Sequence, residues 1–243
     1  MTASALRLIT HSSRAAGRTQ MALDALLLER AAERRVSSCR WYRWSGPTIS
    51  LGYFQTQLPP ELEGRFTGLP VVRRLTGGGA ILHHHELTYS LALASGHPLS
   101  ADPRQLYDLV HEAVIGELRR RGISVGLRGD SRPEWGENYL CFARGDSFDV
   151  VCEGIKVLGS AQRRRRGAVL QHGSLLWARS DWATEFPGIC DLAKVQVDVE
   201  TLEENLRRVL GEALGGDFVE EAELPVDELP RFCELEREFG DPC

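Results

Sequence analysis

The feature that most limits how this chain can fold is Arg73-Arg74-Leu75-Thr76-Gly77-Gly78-Gly79-Ala80-Ile81-Leu82-His83. It reads as apolar strand, glycine corner, apolar strand, with arginines entering and a histidine leaving. Three consecutive glycines bring no side-chain chemistry; they let a backbone approach a ligand closely and take up positive φ. The flanking guanidiniums point to a ligand that carries phosphate or carboxylate. The residues after the glycines, Ala80-Ile81-Leu82, are strand-like. Dinucleotide sites and P-loops both need a helix N-terminus at that point, so both are disfavoured. A glycine-rich hairpin turn with no ligand is the plain alternative.

Composition narrows the field further. A chain of 243 residues suits one large domain, or one domain with a small appendage. A formal charge of −5 argues against a nucleic-acid binder that relies on a basic surface. No apolar run approaches the roughly 20 residues that a membrane span needs. Residues 1–10 lack the sustained apolar core of a secretory signal, and a cytoplasmic protein is expected. The six cysteines contain no Cys-x-x-Cys pair, which removes zinc-ribbon and thioredoxin readings and predicts reduced thiols.

Residues 20–34 read as an amphipathic helix, with Leu23, Leu26, Leu27 and Ala31 at helical spacing and Glu and Arg on the other face. Residues 39–44 and 48–53, split by Ser45-Gly46-Pro47, predict a strand pair around a turn. Strands over 71–74, 79–83 and 87–94 continue a sheet. A second helix is predicted over 103–121, followed by a strand over 123–127. A meander comes next (139–142, 147–153, 155–162 and 168–177), with turns at Glu153-Gly154 and Arg166-Gly167. From about Thr201 the chain offers one helix to Leu214 and a Glu-rich helical end after Pro225. The expected division is therefore a main domain over 1–200 and a helical extension over 201–243. Consecutive strands dominate and helices are grouped, so the expected class is α+β with a largely antiparallel or mixed sheet.

Two residues stand out for chemistry. Cys141 comes after a polar, turn-prone stretch (129–138), and Lys156 lies fifteen positions later in Gly154-Ile155-Lys156-Val157-Leu158-Gly159-Ser160-Ala161-Gln162. Both fall at or near strands of one meander and can face each other across it. A cysteine nucleophile needs deprotonation and a nearby cation, and a partly desolvated lysine supplies either. Alone the pair is weak, since a buried cysteine is more often an apolar filler and a strand lysine a solvated edge residue. His83-His84-His85 suggests a metal, but on a strand only His83 and His85 share a face. No cysteine or carboxylate cluster accompanies them, and no metal is expected.

These segments together resemble the biotin/lipoate protein ligase and transferase family. The resemblance is carried by Met21-Ala22-Leu23-Asp24, Tyr42-Arg43-Trp44, Leu51-Gly52-Tyr53-Phe54-Gln55, the glycine loop with His83, and Glu86-Leu87-Thr88-Tyr89-Ser90. The run from Gly154 to Gln162 and Leu170-Gln171-His172-Gly173-Ser174-Leu175-Leu176 complete it, in order over roughly 20–177. Cys141-Phe142 at its distance before Lys156 is similar to the cysteine-dependent, LipM-type octanoyltransferases. The resemblance implies a biotin/lipoate ligase-like catalytic domain related to class II aminoacyl-tRNA synthetases. It also implies catalysis by Cys141 as acyl acceptor with Lys156 as activator and proton shuttle. Substrate binding would fall to Arg73, Arg74, Gly77, Gly78, Gly79 and His83, with Gly159, Ser160, Ala161 and His172 from the later motifs. Two departures bear on substrate positioning: His84 and His85 stand where an aspartate is common, and Ala143-Arg144-Gly145-Asp146 where an acid and a proline are common.

The resulting reading is an acyltransferase moving an octanoyl or lipoyl chain through an acyl-Cys141 thioester, with no cofactor. Its donor would be an acyl carrier protein or an octanoylated glycine-cleavage H protein, and its acceptor a lipoyl domain. Nucleic acid and membrane are not expected as partners. Leu75, Ile81 and Leu158 are candidate tunnel walls, and His172 a wall residue or a hydrogen-bonded core residue. An ATP-dependent lipoate ligase, with Cys141 incidental, is the second reading, and a non-catalytic receptor for acylated lipoyl domains the third. Arg163 to Arg166 form an expected hairpin tip, either a solvated turn or a docking patch for acidic partners.

Overall fold

The computed structural model describes residues 6–10, 14–130, 140–143, 145–215 and 218–239. In chain order the elements are β1 (Leu6–Ile9), β2 (Arg14–Ala15), α1 (Gly17–Glu29), β3 (Ser38–Trp44), β4 (Thr48–Leu51), α2 (Pro60–Glu63), β5 (Val71–Arg73), β6 (Ile81–His83) and β7 (Glu86–Leu93). Next come α3 (Pro98–Ala101), α4 (Pro103–Arg120), β8 (Val125–Leu127), β9 (Val150–Cys152), β10 (Ile155–Arg165) and β11 (Ala168–Leu176). The last elements are α5 (Ile189–Ala193), α6 (Val199–Ala213), β12 (Phe218–Glu221) and α7 (Leu229–Glu238). A large mixed sheet runs β12-β1-β3-β7-β11-β10-β9-β8, with β2 attached to β3, and a three-stranded sheet runs β5-β4-β6. From β3 to β8 all neighbours in the large sheet are antiparallel; β1 lies parallel to both β3 and β12. The class is α+β, as expected.

The two faces of the large sheet have separate jobs. One is covered by α4 and α6 and holds the main core, including Trp41, Leu87, Leu91, Val110, Leu118 and Leu206. The other packs on α1 through Leu27, Leu28, Ala92 and Leu170. The α1 helix is buried at every position from Gln20 to Leu28, not amphipathic as its pattern suggested. Its outer side is covered by α7, where Leu235, Phe232 and Phe239 pack on Ala22, Ala25 and Leu26. Beyond Glu29 the helix widens into a π-helical turn (Arg30–Arg34) that ends on Arg35 at φ 57°.

Three expectations change. Residues 39–44 and 48–51 are strands, but they do not pair with each other. Both edges of β3 are already taken, by β1 and β7, so β4 crosses to the small sheet. Pro47, with no N–H to give a ladder, sits at the crossing. The strand expected at 139–142 is a 3-10 turn over Cys141–Ala143, joined to Ala80 by an isolated bridge at Leu140; Tyr139 lies outside the described residues. The arginine run is not a hairpin tip, because β10 continues through Arg165 and only Arg166-Gly167 turns. Arg165 and Arg166 pair with Glu33, and Arg165 also with Glu29.

Candidate active site

Strand register lays down the floor of the site. Tyr42 stands opposite Thr88, Thr88 opposite Ser174, and Ser174 opposite Gly159, a row across β3, β7, β11 and β10. Three strand spacings of roughly 4.8 Å make this floor about 14 Å long. A cavity of about 300 Å³ rests on it, walled by Met21, Trp44, Ile81 and Phe142 and roofed by Arg74, Gly77 and Gly78 of the glycine loop. Cys141, Lys156 and Tyr107 also line it. The volume lies at the low end of the roughly 300–1,000 Å³ typical of small-ligand sites, which suits a short chain.

The glycine loop is held from inside. Arg74 is 3% exposed; its Nη1 donates to Ser50 O and Oγ (3.0 and 3.1 Å) and its Nη2 to Gly77 O and Gly79 O (2.8 and 2.7 Å). The guanidinium expected to meet a ligand anion instead shapes the loop. Burial pulls its pKa below the ordinary arginine value, and a coulombic interaction with Cys141 opposes that pull. Gly78 takes φ +100°, and a Cβ there would meet Arg74 Nη2 at 2.9 Å and Cys141 Sγ at 3.6 Å. A side chain at Gly52 would strike Gly78 O at 2.1 Å, so the two loops meet backbone to backbone. Arg73 points elsewhere, into a separate cavity beside Leu58 and Phe239, and donates weakly to Thr56 O (3.3 Å).

Cys141 enters from its 3-10 turn, anchored by its N–H donating to Ala80 O at 2.8 Å. Lys156 comes from β10, so the two share a cavity rather than facing each other across a sheet. Lys156 Nζ lies 2.9 Å from Asp149 Oδ1, with both side chains buried, and 5.4 Å above the Phe142 ring. Burial raises the Asp149 carboxyl above the usual aspartate range, against the opposing pull of Lys156. Asp149 also accepts the Asp146 N–H at 2.7 Å. Gly159 gives the lysine its path, because a Cβ there would overlap Lys156 Cε at 2.4 Å. A bulge between Lys156 and Leu158 sends Leu158 into the main core, away from the cavity. Of the three expected tunnel walls only Ile81 lines this cavity; Leu75 faces the one that holds Arg73.

Two buried polar clusters support the walls. His83 stacks on Trp44 (centroids 3.9 Å apart), with Nδ1 at 2.6 Å from Glu86 Oε1 and Nε2 at 2.7 Å from Ser50 Oγ. Glu86, fully buried, also accepts from Thr88 (2.6 Å) and Ser174 (2.8 Å). On the same sheet face His172 bridges Asp24 (3.0 Å) and Thr76 (2.5 Å), tying the glycine loop to α1. Arg40 closes that cluster on Asp24 and stands over Tyr42. His172 is thus both a cavity wall and a hydrogen-bonded core residue. His84 and His85 do not alternate across a strand, because β6 stops at His83; they stack on each other at 3.7 Å, with His84 on Ser180.

The structure gathers Cys141, Lys156, Arg74, Gly77, Gly78, His83, Gly159, Ser160, Ala161 and His172 around one cavity. Gly79 contributes its carbonyl to Arg74, and Arg73 stays outside. Asp149, the partner of Lys156, was missed in the sequence; it stands just before β9, whose Val151 pairs with Lys156 across the Glu153-Gly154 turn.

Residues 16–213 match the lipoyl protein ligase A/B catalytic domain. The octanoyltransferase LipM of Moorella thermoacetica is 41% identical over 165 residues, 65% of this chain and 60% of that protein. LipM of Kyrpidia tusciae is 31% identical over 251 residues, 90% of this chain and 91% of that protein. The match spans only 60% of the Moorella protein and of its Brevibacillus brevis counterpart. Among solved structures, a T. acidophilum protein with bound lipoic acid superposes with TM-score 0.71 at 22% identity, covering 96% of this chain and 93% of that one. Lipoate-protein ligase A bound with ATP gives 0.69 at 24% identity, covering 98% and 94%. These likenesses show the fold.

Proposed function

This chain belongs to the lipoyl protein ligase A/B catalytic-domain family, and from that premise we propose that it is a protein octanoyltransferase. It takes an octanoyl group from a carrier-protein thioester, holds it on Cys141, and delivers it to a lysine of a lipoyl domain in the cytoplasm. The observation that carries the reading is that Cys141 and Lys156 open onto one small cavity with an apolar wall and a long floor. Three bonds of a chain span about 3.8 Å, so the seven carbon–carbon bonds of an octanoyl group reach about 9 Å. The floor row accommodates that length. The names of the curated relatives support the same activity.

The residues divide the work. Arg74, fixed inside the loop, and Lys156, fixed by Asp149, bring two cations to the cavity that Cys141 lines. The Cys141 sulfur attacks the donor carbonyl and forms a C–S bond, the donor's own C–S bond breaks, and the proton given up by the Cys141 thiol leaves on the donor's sulfur. In the second step a neutral lysine amine attacks the acyl-Cys141 carbonyl, the N–C bond forms, and the C–S bond breaks. The proton lost by the amine goes to sulfur by way of Lys156. Exchange between thioesters is nearly balanced and amide formation runs downhill, so no ATP is required. An ATP-dependent ligase would want Arg74 for phosphate, and both its terminal nitrogens are already bound to Ser50, Gly77 and Gly79.

The donor is an acyl carrier protein or an octanoylated H protein, and the acceptor a lipoyl domain. A structural neighbour from Thermoplasma acidophilum is described together with its E2 lipoyl domain, which supports that acceptor class. The test is ATP-free transfer from octanoyl carrier protein to an apo lipoyl domain, read by the mass of the acceptor. Turnover by the wild type and none by Cys141→Ser is expected. Dependence on ATP, or full turnover by Cys141→Ser, would overturn the proposal.

A further inference from the structure

The cavity opens at the glycine loop. Gly78 is exposed, lines the cavity, and holds its Cβ position 3.6 Å from Cys141 Sγ. Phe54 packs on the same loop, its ring 4.0 Å from the Cβ position of Gly77. It is 84% exposed, the most exposed large apolar side chain among the described residues. Tyr53, also exposed, stands edge-on to it with ring centroids 5.1 Å apart. The facing lip is β10, where Gly159, Ala161 and Arg163 share one side of the strand and the first two line the cavity. Arg163 reaches across to lie 4.3 Å above the Tyr53 ring. No ion pair holds its charge among the described residues.

Aromatic side chains and arginine are the residues enriched at protein–protein contacts, and they dominate binding there. Reach selects which partner touches this rim. The five bonds from a lysine Cα to its Nζ span about 6 Å, so a domain whose lysine attacks acyl-Cys141 must press against the mouth. A thioester donor presents its acyl group at the end of a far longer prosthetic arm and can stand off. Gly77 and Gly78 are consecutive, which keeps Phe54 within roughly 14 Å of the sulfur. A domain surface covers that distance once its lysine is in place.

Resting on the transferase reading, we infer that Phe54 is the contact on which the acceptor lipoyl domain docks. Tyr53 supports the ring, and Arg163 receives a carboxylate of the same domain. The occupant is thus a small domain whose lysine projects beside an apolar side chain and an acidic one. The apolar contact holds the domain while the lysine passes the glycine loop; the charge acts earlier, on encounter. Loading of Cys141 by the donor does not use Phe54.

The two half-reactions can be timed separately. Cys141 is acylated with octanoyl carrier protein and followed by intact mass, and the acyl-enzyme is then mixed with increasing apo lipoyl domain. Phe54→Ser should raise the lipoyl-domain concentration for half-maximal discharge about tenfold. The discharge rate at saturation and the acylation rate should stay unchanged, the pattern of a lost uniform-binding contact. Phe54→Leu, which keeps an apolar contact, should recover most of the affinity. The loss should be the same at low and high salt, because no charge is removed. Equal slowing of acylation would give the rim to the donor, and a wild-type dimer split by Phe54→Ser would give it to a second copy of this chain. Either result, or unchanged discharge, overturns this inference alone. Failure of the wild type to form acyl-Cys141 overturns the thioester reading and this inference with it.

Discussion

At the residue scale the site depends on cations that are held rather than free. Lys156 is buried against Asp149, and Arg74 is spent on loop carbonyls while its charge still reaches Cys141. Asp149→Asn would leave Lys156 in the same pocket without its anion. Removing one partner of a buried pair costs on the order of 3 kcal/mol, and turnover should fall roughly a hundredfold. Urea denaturation and kcat of the variant check both; full activity would show that Asp149 does not hold Lys156 in its working state. Cys141 and Lys156 were legible in the sequence through the resemblance, not through strand geometry, because the cysteine sits on a 3-10 turn. The inward turn of Arg74 was illegible, since an arginine beside glycines reads alike whether it faces a ligand or its own loop.

At the element scale the strands were easier to read than their partners. The hairpins at Glu153-Gly154 and Arg166-Gly167 were legible because all four residues take positive φ, which such turns demand. The split of β3 and β4 between two sheets was not, since nothing local says that both edges of β3 are occupied. The burial of α1 on all sides was hidden for the same reason, because α7 covers it from far along the chain. Helix α4 makes a testable contribution through His111, which faces Tyr107 on its own helix and Phe148, Ser160 and Lys156 from the sheet side. Burial lowers it from 6.5 to about 4, so the folded state binds fewer protons than the unfolded chain between those values. Its stabilising effect is complete above pH 6.5 and is lost as pH falls toward 4, by about 3 kcal/mol. Chemical denaturation of wild type and His111→Phe from about pH 7.5 to about 4.5 should give a shallower decline for the variant. Parallel declines would contradict the linkage.

At the scale of the whole molecule, an acidic protein offers a partner few uncommitted cations near its site among the described residues. Of the arginine run, Arg165 and Arg166 are matched by Glu29 and Glu33, and Arg164 donates to Ser100 O at 2.8 Å. Arg163 differs: it stands over the Tyr53 ring at 4.3 Å, next to Phe54, which is 84% exposed beside the glycine loop. Docking of an acidic carrier or lipoyl domain should therefore depend on Arg163 more than on its neighbours. Arg163→Ser should slow association several-fold at low salt, whereas Arg165→Ser should cost under about 1 kcal/mol of stability and leave association unchanged. Stopped-flow mixing at two ionic strengths separates them, and equal effects would return the whole run to a structural role. The central claim, that Cys141 carries the acyl group, has a more direct test. Purified enzyme is incubated with octanoyl carrier protein, without ATP and without acceptor, and its intact mass and peptide map are recorded. The account requires a gain of one octanoyl group, mapped to Cys141, cleaved by hydroxylamine and absent from Cys141→Ser; an enzyme that stays unmodified, or is modified elsewhere, would contradict it.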